Sequence, residues 1–152
     1  LPLCYATSSV EDFASGAVFS LDDTGIVDTL VFGCENDDPA LMKKAASLKE
    51  DALFHERLLT ELATGATYPA AYAKTILANV PAPEREALAP YLSSPNNLLG
   101  LFYLRANECL EEPFAVQLVK REGAAYHDAQ MGADTYASAT ALRASLCGDY
   151  GL

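Results

Sequence analysis

The chain has 152 residues, 51% of them hydrophobic, and a formal net charge of −11 at pH 7. This composition excludes an intrinsically disordered chain and predicts a single globular domain over residues 1–152. An acidic surface repels phosphate groups, so we expect no nucleic acid partner, and no apolar run is long enough to span a membrane directly.

The first 35 residues predict two helices. Apolar residues between Val10 and Ala17 form one short helical face. Asp22 or Asp23 then caps a second helix, and Gly33 marks its end. The apolar residues of this second helix follow helical spacing: Ile26, Val27, Leu30 and Val31.

A long helix is predicted over Asp38–Leu62. Asp38 is a favourable N-cap, and Pro39 suits the first helical position because its φ is already fixed. Seven residues recur at spacings of four and three and form one stripe: Leu41, Ala45, Leu48, Ala52, His55, Leu59 and Leu62. Gly65 ends this helix, and His55 is the titratable group in the stripe.

After Gly65, proline repeatedly precedes a helix and glycine or proline repeatedly ends one. The further predicted helices span 67–80, 84–92, 94–110, 113–123, 124–131 and 134–148. We find no sustained period-two alternation. The predicted fold class is therefore all-α, with about seven or eight short helices in a single domain.

Motifs that carry chemistry are missing from the sequence. It contains no nucleophile elbow, no glycine-rich dinucleotide loop and no P-loop. The two histidines, His55 and His127, and the lack of a CxxC pair argue against a bound metal ion. These patterns identify no catalytic residue and no free metal, and a Ser–His–Asp or Cys–His arrangement stays open because its members can lie far apart in sequence.

His55 has three interpretations. A neutral imidazole on an apolar face could ligate the metal of a macrocycle, such as the magnesium of a chlorophyll. The alternatives are a half-buried core histidine bonded to a carbonyl and a helix seam that frays into solvent. Glu50 could likewise be an axial oxygen ligand or a surface charge, and His127 is expected to be exposed or capping.

Four cysteines could form two disulfides in three possible connectivities: Cys4, Cys34, Cys109 and Cys147. The chain begins with Leu1 and not with Met, so either a targeting peptide has been removed or the chain is a fragment, and the first of these favours a secreted or organellar protein. The alternative is four free thiols buried as small apolar residues.

Two stretches resemble the repeat unit of the peridinin–chlorophyll a proteins of dinoflagellates: Val27–Ala46 (VDTLVFGCENDDPALMKKAA) and Thr75–Leu92 (TILANVPAPEREALAPYL). The matching features include the Asp38–Pro39 helix start and the helix ending in Ala78–Pro81. The segment Gly132–Leu142 is a fainter match.

The resemblance implies a non-enzymatic, all-helical protein of the thylakoid lumen that holds chlorophyll a and the carotenoid peridinin. Two departures stand out. The position of the histidine that faces magnesium in that family is occupied by Lys49, with Glu50 beside it, and the chain has no tryptophan. The resemblance thus favours a retained scaffold with an altered pigment site.

Three functions remain open. The favoured one is a structural or antenna subunit docked on a photosystem or light-harvesting membrane complex in the chloroplast thylakoid lumen. The alternatives are a soluble antenna protein, with chlorophyll a and carotenoid as cofactors, and a secreted, disulfide-stabilised helical protein. The candidate pigment-binding residues are His55, Glu50, Lys49, Leu48, Ala52 and Phe102, and further apolar walls are expected from Leu41, Phe54, Ile76 and Leu77.

Overall fold

The computed structural model describes residues 3–121. It contains seven helices and two strands. In chain order they are α1 (Leu3–Ala6), α2 (Val10–Asp22), β1 (Thr29–Cys34), α3 (Pro39–Ala46), α4 (Phe54–Ala63), α5 (Tyr68–Ile76), α6 (Ala82–Ser93), α7 (Pro95–Asn107) and β2 (Ala115–Lys120).

The all-α prediction is wrong, because β1 and β2 pair in parallel. Their register aligns Thr29 with Ala115 at one end and Cys34 with Lys120 at the other. Helices α3–α7 lie between the two strands in sequence and form the crossover that a parallel connection requires. The result is an α/β arrangement built on a parallel pair.

The predicted second helix is strand β1, and burial alternates along it as a pleat requires. Leu30 is 7% exposed and Cys34 is fully buried, whereas Val31 is 54% exposed. A short apolar run fits a helix or a strand equally well by spacing. The same ambiguity produced the wrong helix at 113–123, where β2 lies.

The predicted long helix is two helices, α3 and α4, separated by residues 47–53. Side-chain hydrogen bonds from other parts of the fold fix the conformation of this linker. Arg105 on α7 donates from Nε to the Ala46 carbonyl (2.9 Å) and from Nη2 to the Leu48 carbonyl (2.6 Å). Asp51 accepts from Arg57 and from Asn79 Nδ2, the latter at 2.6 Å. The break shifts the phase of the apolar stripe, so its two halves do not share one face.

Helix α7 is central to the core. Phe102 on α7 lies edge-on to Tyr72, with ring centroids 5.5 Å apart. Gly100 allows the ring of Phe32 on β1 to approach α7, because a Cβ at Gly100 would lie 2.5 Å from Phe32 Cε2. One face of β1 therefore packs on α7.

The punctuation rules predicted the helices from α5 to α7 well, including the start of α7 at Ser94–Pro95. Pro90 lies within α6 near its end. Within residues 3–121, no helix combines the length and apolarity needed to cross a bilayer. The helices predicted over 124–131 and 134–148, with His127, lie outside the described residues, and the single-domain organisation stays a prediction.

Candidate functional site

The carboxyl ends of β1 and β2 coincide, because Cys34 and Lys120 are a register pair and each ends its strand. The chain leaves β1 through the loop 35–38 and enters α3. In sheets of parallel strands, ligands bind in the crevice outside the carboxyl ends. We therefore place the candidate functional site at this edge.

The loop after β1 is fixed by Asn97, a fully buried residue in the first turn of α7. Its Oδ1 accepts from the backbone N–H of Glu35 (2.7 Å) and of Asn36 (3.4 Å). Its Nδ2 donates to Asn36 Oδ1 (2.8 Å) and to the carbonyl of Pro90 (3.2 Å). One amide thus joins β1, α6 and α7 at the site.

The neighbouring Asn96 adds a second contact to the same loop. Its Nδ2 donates to Glu35 Oε1 at 3.1 Å. This bond orients a carboxylate at the end of β1, where an ordered acceptor can bind a ligand hydroxyl or amine. Of the two consecutive asparagines, Asn97 therefore binds the backbone of the loop after β1, and Asn96 binds the side chain of Glu35.

Helices α3 and α7 begin at this edge, and the side chains that cap them differ in charge. The carboxylate of Asp38 caps α3 as predicted, accepting from the N–H groups of Ala40 (2.9 Å) and Leu41 (3.1 Å). A neutral hydroxyl, that of Ser94, caps α7, whose first turn contains no acidic residue. A helix N-terminus favours negative charge, and the first turn of α7 binds the carboxylate of Glu35 through Asn96.

Cys34 lies under this edge but is not a nucleophile. Burial raises the pKa of the Cys34 thiol; the charge of Asp37 raises it further, and that of Lys120 lowers it. The Sγ atom lies 3.7 Å from the carbonyl of Val119. A protonated, buried thiol is unreactive, so Cys34 serves in packing.

Tyr91 on α6 is buried beneath the same loop. Burial raises the pKa of Tyr91, a hydrogen bond with the Asp38 backbone lowers it, and the charges of Asp38 and Asp37 raise it again. The phenol therefore stays neutral at physiological pH and acts as a polar support for the loop.

The predicted pigment residues do not form one site. His55 and Ala52 are exposed, while Phe102 is buried against Tyr72. Leu48, Lys49 and Glu50 line a shallow surface depression of about 330 Å³, where Glu50 lies 3.7 Å from Arg105. The broken helix explains the scatter, because it turns His55 away from the buried side. Of the predicted walls, Phe54, Ile76 and Leu77 belong to the core, and Leu41 is partly buried.

Three of the four cysteines are described, and Cys4, Cys34 and Cys109 carry free thiols. Cys4 and Cys109 are exposed, whereas Cys34 is buried. Cys147 lies outside the described residues, so a disulfide to it stays a prediction.

Comparison with known proteins identifies the family. The profile of the HIGH Nucleotidyl Transferase family matches residues 1–150. The chain belongs to this family. A relative from Caldanaerobacter subterraneus is 35% identical over 148 residues, which cover 96% of this chain and 36% of the relative. One from Syntrophotalea carbinolica is 36% identical over 148 residues, covering 96% and 34%. Both are named tRNA(Met) cytidine acetate ligase.

Two solved structures of Thermotoga maritima TmcAL have a fold similar to that of this chain. The apo form of Thermotoga maritima TmcAL superposes with a TM-score of 0.76 at 28% identity, over 98% of this chain and 36% of that one. The same protein bound with alpha-thio ATP gives 0.70 at 26%, over 99% and 34%. The chain spans about a third of the length of the relatives it matches.

These findings overturn the resemblance to peridinin–chlorophyll a proteins. The features that carried it, an Asp–Pro helix start and proline-terminated helices, are general helix signals and recur in unrelated folds. The photosynthetic function, the photosystem partner, the chlorophyll and carotenoid cofactors and both alternative functions are therefore wrong. The predicted localisation, thylakoid lumen or secreted, stays a prediction.

Two further predictions are corrected by the names of the relatives. The relatives are named ligases, which contradicts the prediction of a non-enzymatic protein. Their name also specifies tRNA, which contradicts the exclusion of nucleic acid as a partner. The charge argument failed because net charge does not say where charges lie. Lys120 places a positive charge at the carboxyl ends of the strands, beside the acidic loop 35–38.

Asn96, Asn97 and Lys120 were not predicted as site residues, because their positions at the site depend on the two strands, which were predicted as helices. A usable signal was present. The segments TLVFGC and AVQLVK are rich in β-branched or aromatic residues, and Gly25 and Pro113 precede them at turn positions. Reading both as strands would have directed attention to their carboxyl ends.

Proposed function

We propose that these 152 residues form part of an ATP-using ligase that joins acetate to a cytidine of tRNA. The observation that carries the proposal is the match to tRNA(Met) cytidine acetate ligases over 96% of the chain at 35% identity. The superposition on the alpha-thio ATP complex of Thermotoga maritima TmcAL supports the choice of nucleotide. Because the chain spans about a third of these relatives, the activity is assigned to the intact protein.

The carboxyl edge of the strand pair suits a nucleotide. Asn97 fixes the loop after β1 through four hydrogen bonds, so this wall of the crevice is set before a ligand arrives. The N-terminus of α7 supplies partial positive charge for a phosphate, and Lys120 supplies a full one.

The chemistry of a nucleotidyl transferase explains how acetate is activated. A carboxylate oxygen of acetate attacks the α-phosphorus of ATP, and pyrophosphate leaves with the electrons of the broken P–O bond. A nucleophilic group of cytidine then attacks the acetyl carbon and gives up its proton to water, and AMP leaves with the electrons of the broken C–O bond. In this scheme the described residues bind and orient the nucleotide, and the charged groups at the edge stabilise its phosphates.

The experiment supplies the intact protein with ATP, radiolabelled acetate and tRNA, and measures label in tRNA after acid precipitation. We expect label that depends on ATP and is recovered in cytidine after nuclease digestion. Acetate-dependent exchange of labelled pyrophosphate into ATP tests the first step alone. A folded protein that shows neither exchange nor label refutes the proposal, and omission of ATP is the matched control.

A further inference from the structure

Lys120 and Asp37 form an ion pair across the carboxyl edge. Lys120 ends β2, Asp37 lies in the loop after β1, and Lys120 Nζ is 3.4 Å from Asp37 Oδ1. Their side chains are 62% and 48% exposed. A pair this exposed contributes little to stability, so support of the fold does not account for it.

The other acids of the loop have different partners. The carboxylate of Asp38 is bound to backbone N–H groups of α3, and that of Glu35 accepts from Asn96. Asp37 is thus the loop acid whose carboxylate faces Lys120. The buried thiol of Cys34, the register partner of Lys120, is neutral.

Lys120 also lies where a phosphate is expected. Its backbone is in register with Cys34 at the strand end, and the loop it faces is fixed by Asn97 in the first turn of α7. An ammonium group with mobile, solvated surroundings can exchange one anionic partner for another without breaking buried contacts.

We propose that Lys120 binds a phosphate of the nucleotide, and that Asp37 holds the ammonium group in place until the phosphate displaces the carboxylate. This inference rests on the proposed function, because it takes the nucleotide at this edge as given. Asp37 then competes with the ligand for Lys120 and so weakens binding of the triphosphate. When the phosphates dissociate, Asp37 pairs with Lys120 again, which favours product release.

The test measures dissociation constants of the intact protein for ATP and for adenosine by calorimetry. The variants are Asp37→Asn, Lys120→Met, Lys120→Arg and the double variant Asp37→Asn/Lys120→Met. Glu61→Gln is the matched control, since it removes the acid of another exposed pair, Lys74–Glu61 at 2.7 Å, on α4 and α5. Thermal unfolding verifies that each variant is folded.

We expect Asp37→Asn to bind ATP about two- to fivefold more tightly, the range set by an exposed ion pair. Lys120→Met should bind ATP about tenfold more weakly, as for a lost charge-assisted hydrogen bond. Lys120→Arg should keep most of the affinity. Binding of adenosine should not change in any variant, and Glu61→Gln should behave as the wild type.

The double variant decides the mechanism. If Asp37 acts through Lys120, the Asp37→Asn change has no effect once Lys120 is methionine. Equal tightening in both backgrounds means that Asp37 repels the phosphates directly, and this overturns the exchange of partners. Unchanged or weaker ATP binding by Asp37→Asn also overturns it. A wild-type protein that binds no ATP refutes the proposed function itself, so the two failures are distinguishable.

Discussion

Helix α7 carries two buried asparagines that hold the two strands from opposite ends. Asn97 binds the loop that leaves β1, whereas Asn107 pairs with Phe114 just before β2, donating to its carbonyl (3.0 Å) and accepting from its N–H (2.9 Å). The two residues are 0% and 5% exposed. Replacing each by alanine separates the stability of the fold from the geometry of the candidate site.

Asn97→Ala removes four hydrogen bonds, and the groups that bonded to Asn97 must then bond to water or remain unpaired. At a net value of about 1 kcal/mol for each bond, with the larger penalty for groups left buried, the free energy of unfolding should fall by about 2–4 kcal/mol. Asn107→Ala removes two bonds and should cost about 1–3 kcal/mol by the same reasoning. Urea denaturation measures both values.

The two variants should differ in ligand binding. We expect Asn97→Ala to raise the dissociation constant for ATP by about tenfold, because the loop after β1 is no longer ordered before binding. Asn107→Ala should leave this constant within about twofold, because its bonds lie at the opposite ends of the strands. Equal changes in both variants, or a loss of stability under about 0.5 kcal/mol for Asn97→Ala, would refute this account of the network.

Three further predictions concern the scaffold. Gly100→Ala should lower the free energy of unfolding by about 1–3 kcal/mol, since its Cβ would meet the Phe32 ring; a chemical denaturation midpoint equal to that of the wild type would contradict the close approach. Arg105→Met should expose linker 47–53 to limited proteolysis, because both carbonyl contacts are lost; cleavage at the wild-type rate would contradict this. The pKa of Asp51 is lowered, and the hydrogen bond from Arg57 is the largest cause. The carboxylate of Asp51 therefore stabilises the fold above its unfolded pKa, and this contribution is lost as the pH falls through the lowered folded pKa. The difference in melting temperature between wild type and Asp51→Asn should therefore shrink on acidification below about pH 4, and a constant difference would argue against the interaction.

The local sequence determined where several helices begin. Asp38 and Pro39 start α3, and Ser94 and Pro95 start α7, as the cap preferences predicted. A cap is a bond between residues two or three positions apart, so its outcome can be read without the rest of the chain. Helices α5 and α6 begin without a side-chain cap bond, but each has a proline in its first turn.

Only the tertiary structure decided the strands, the break after α3 and the site. Strand β1 bonds to β2, whose residues come after five intervening helices, and neither segment alone distinguishes strand from helix by spacing. Arg105 reaches from α7 to bind the linker that ends the predicted long helix. Asn97 is an ordinary polar residue in sequence and becomes the centre of the site because folding buries it against the end of β1, where its amide is fully bonded.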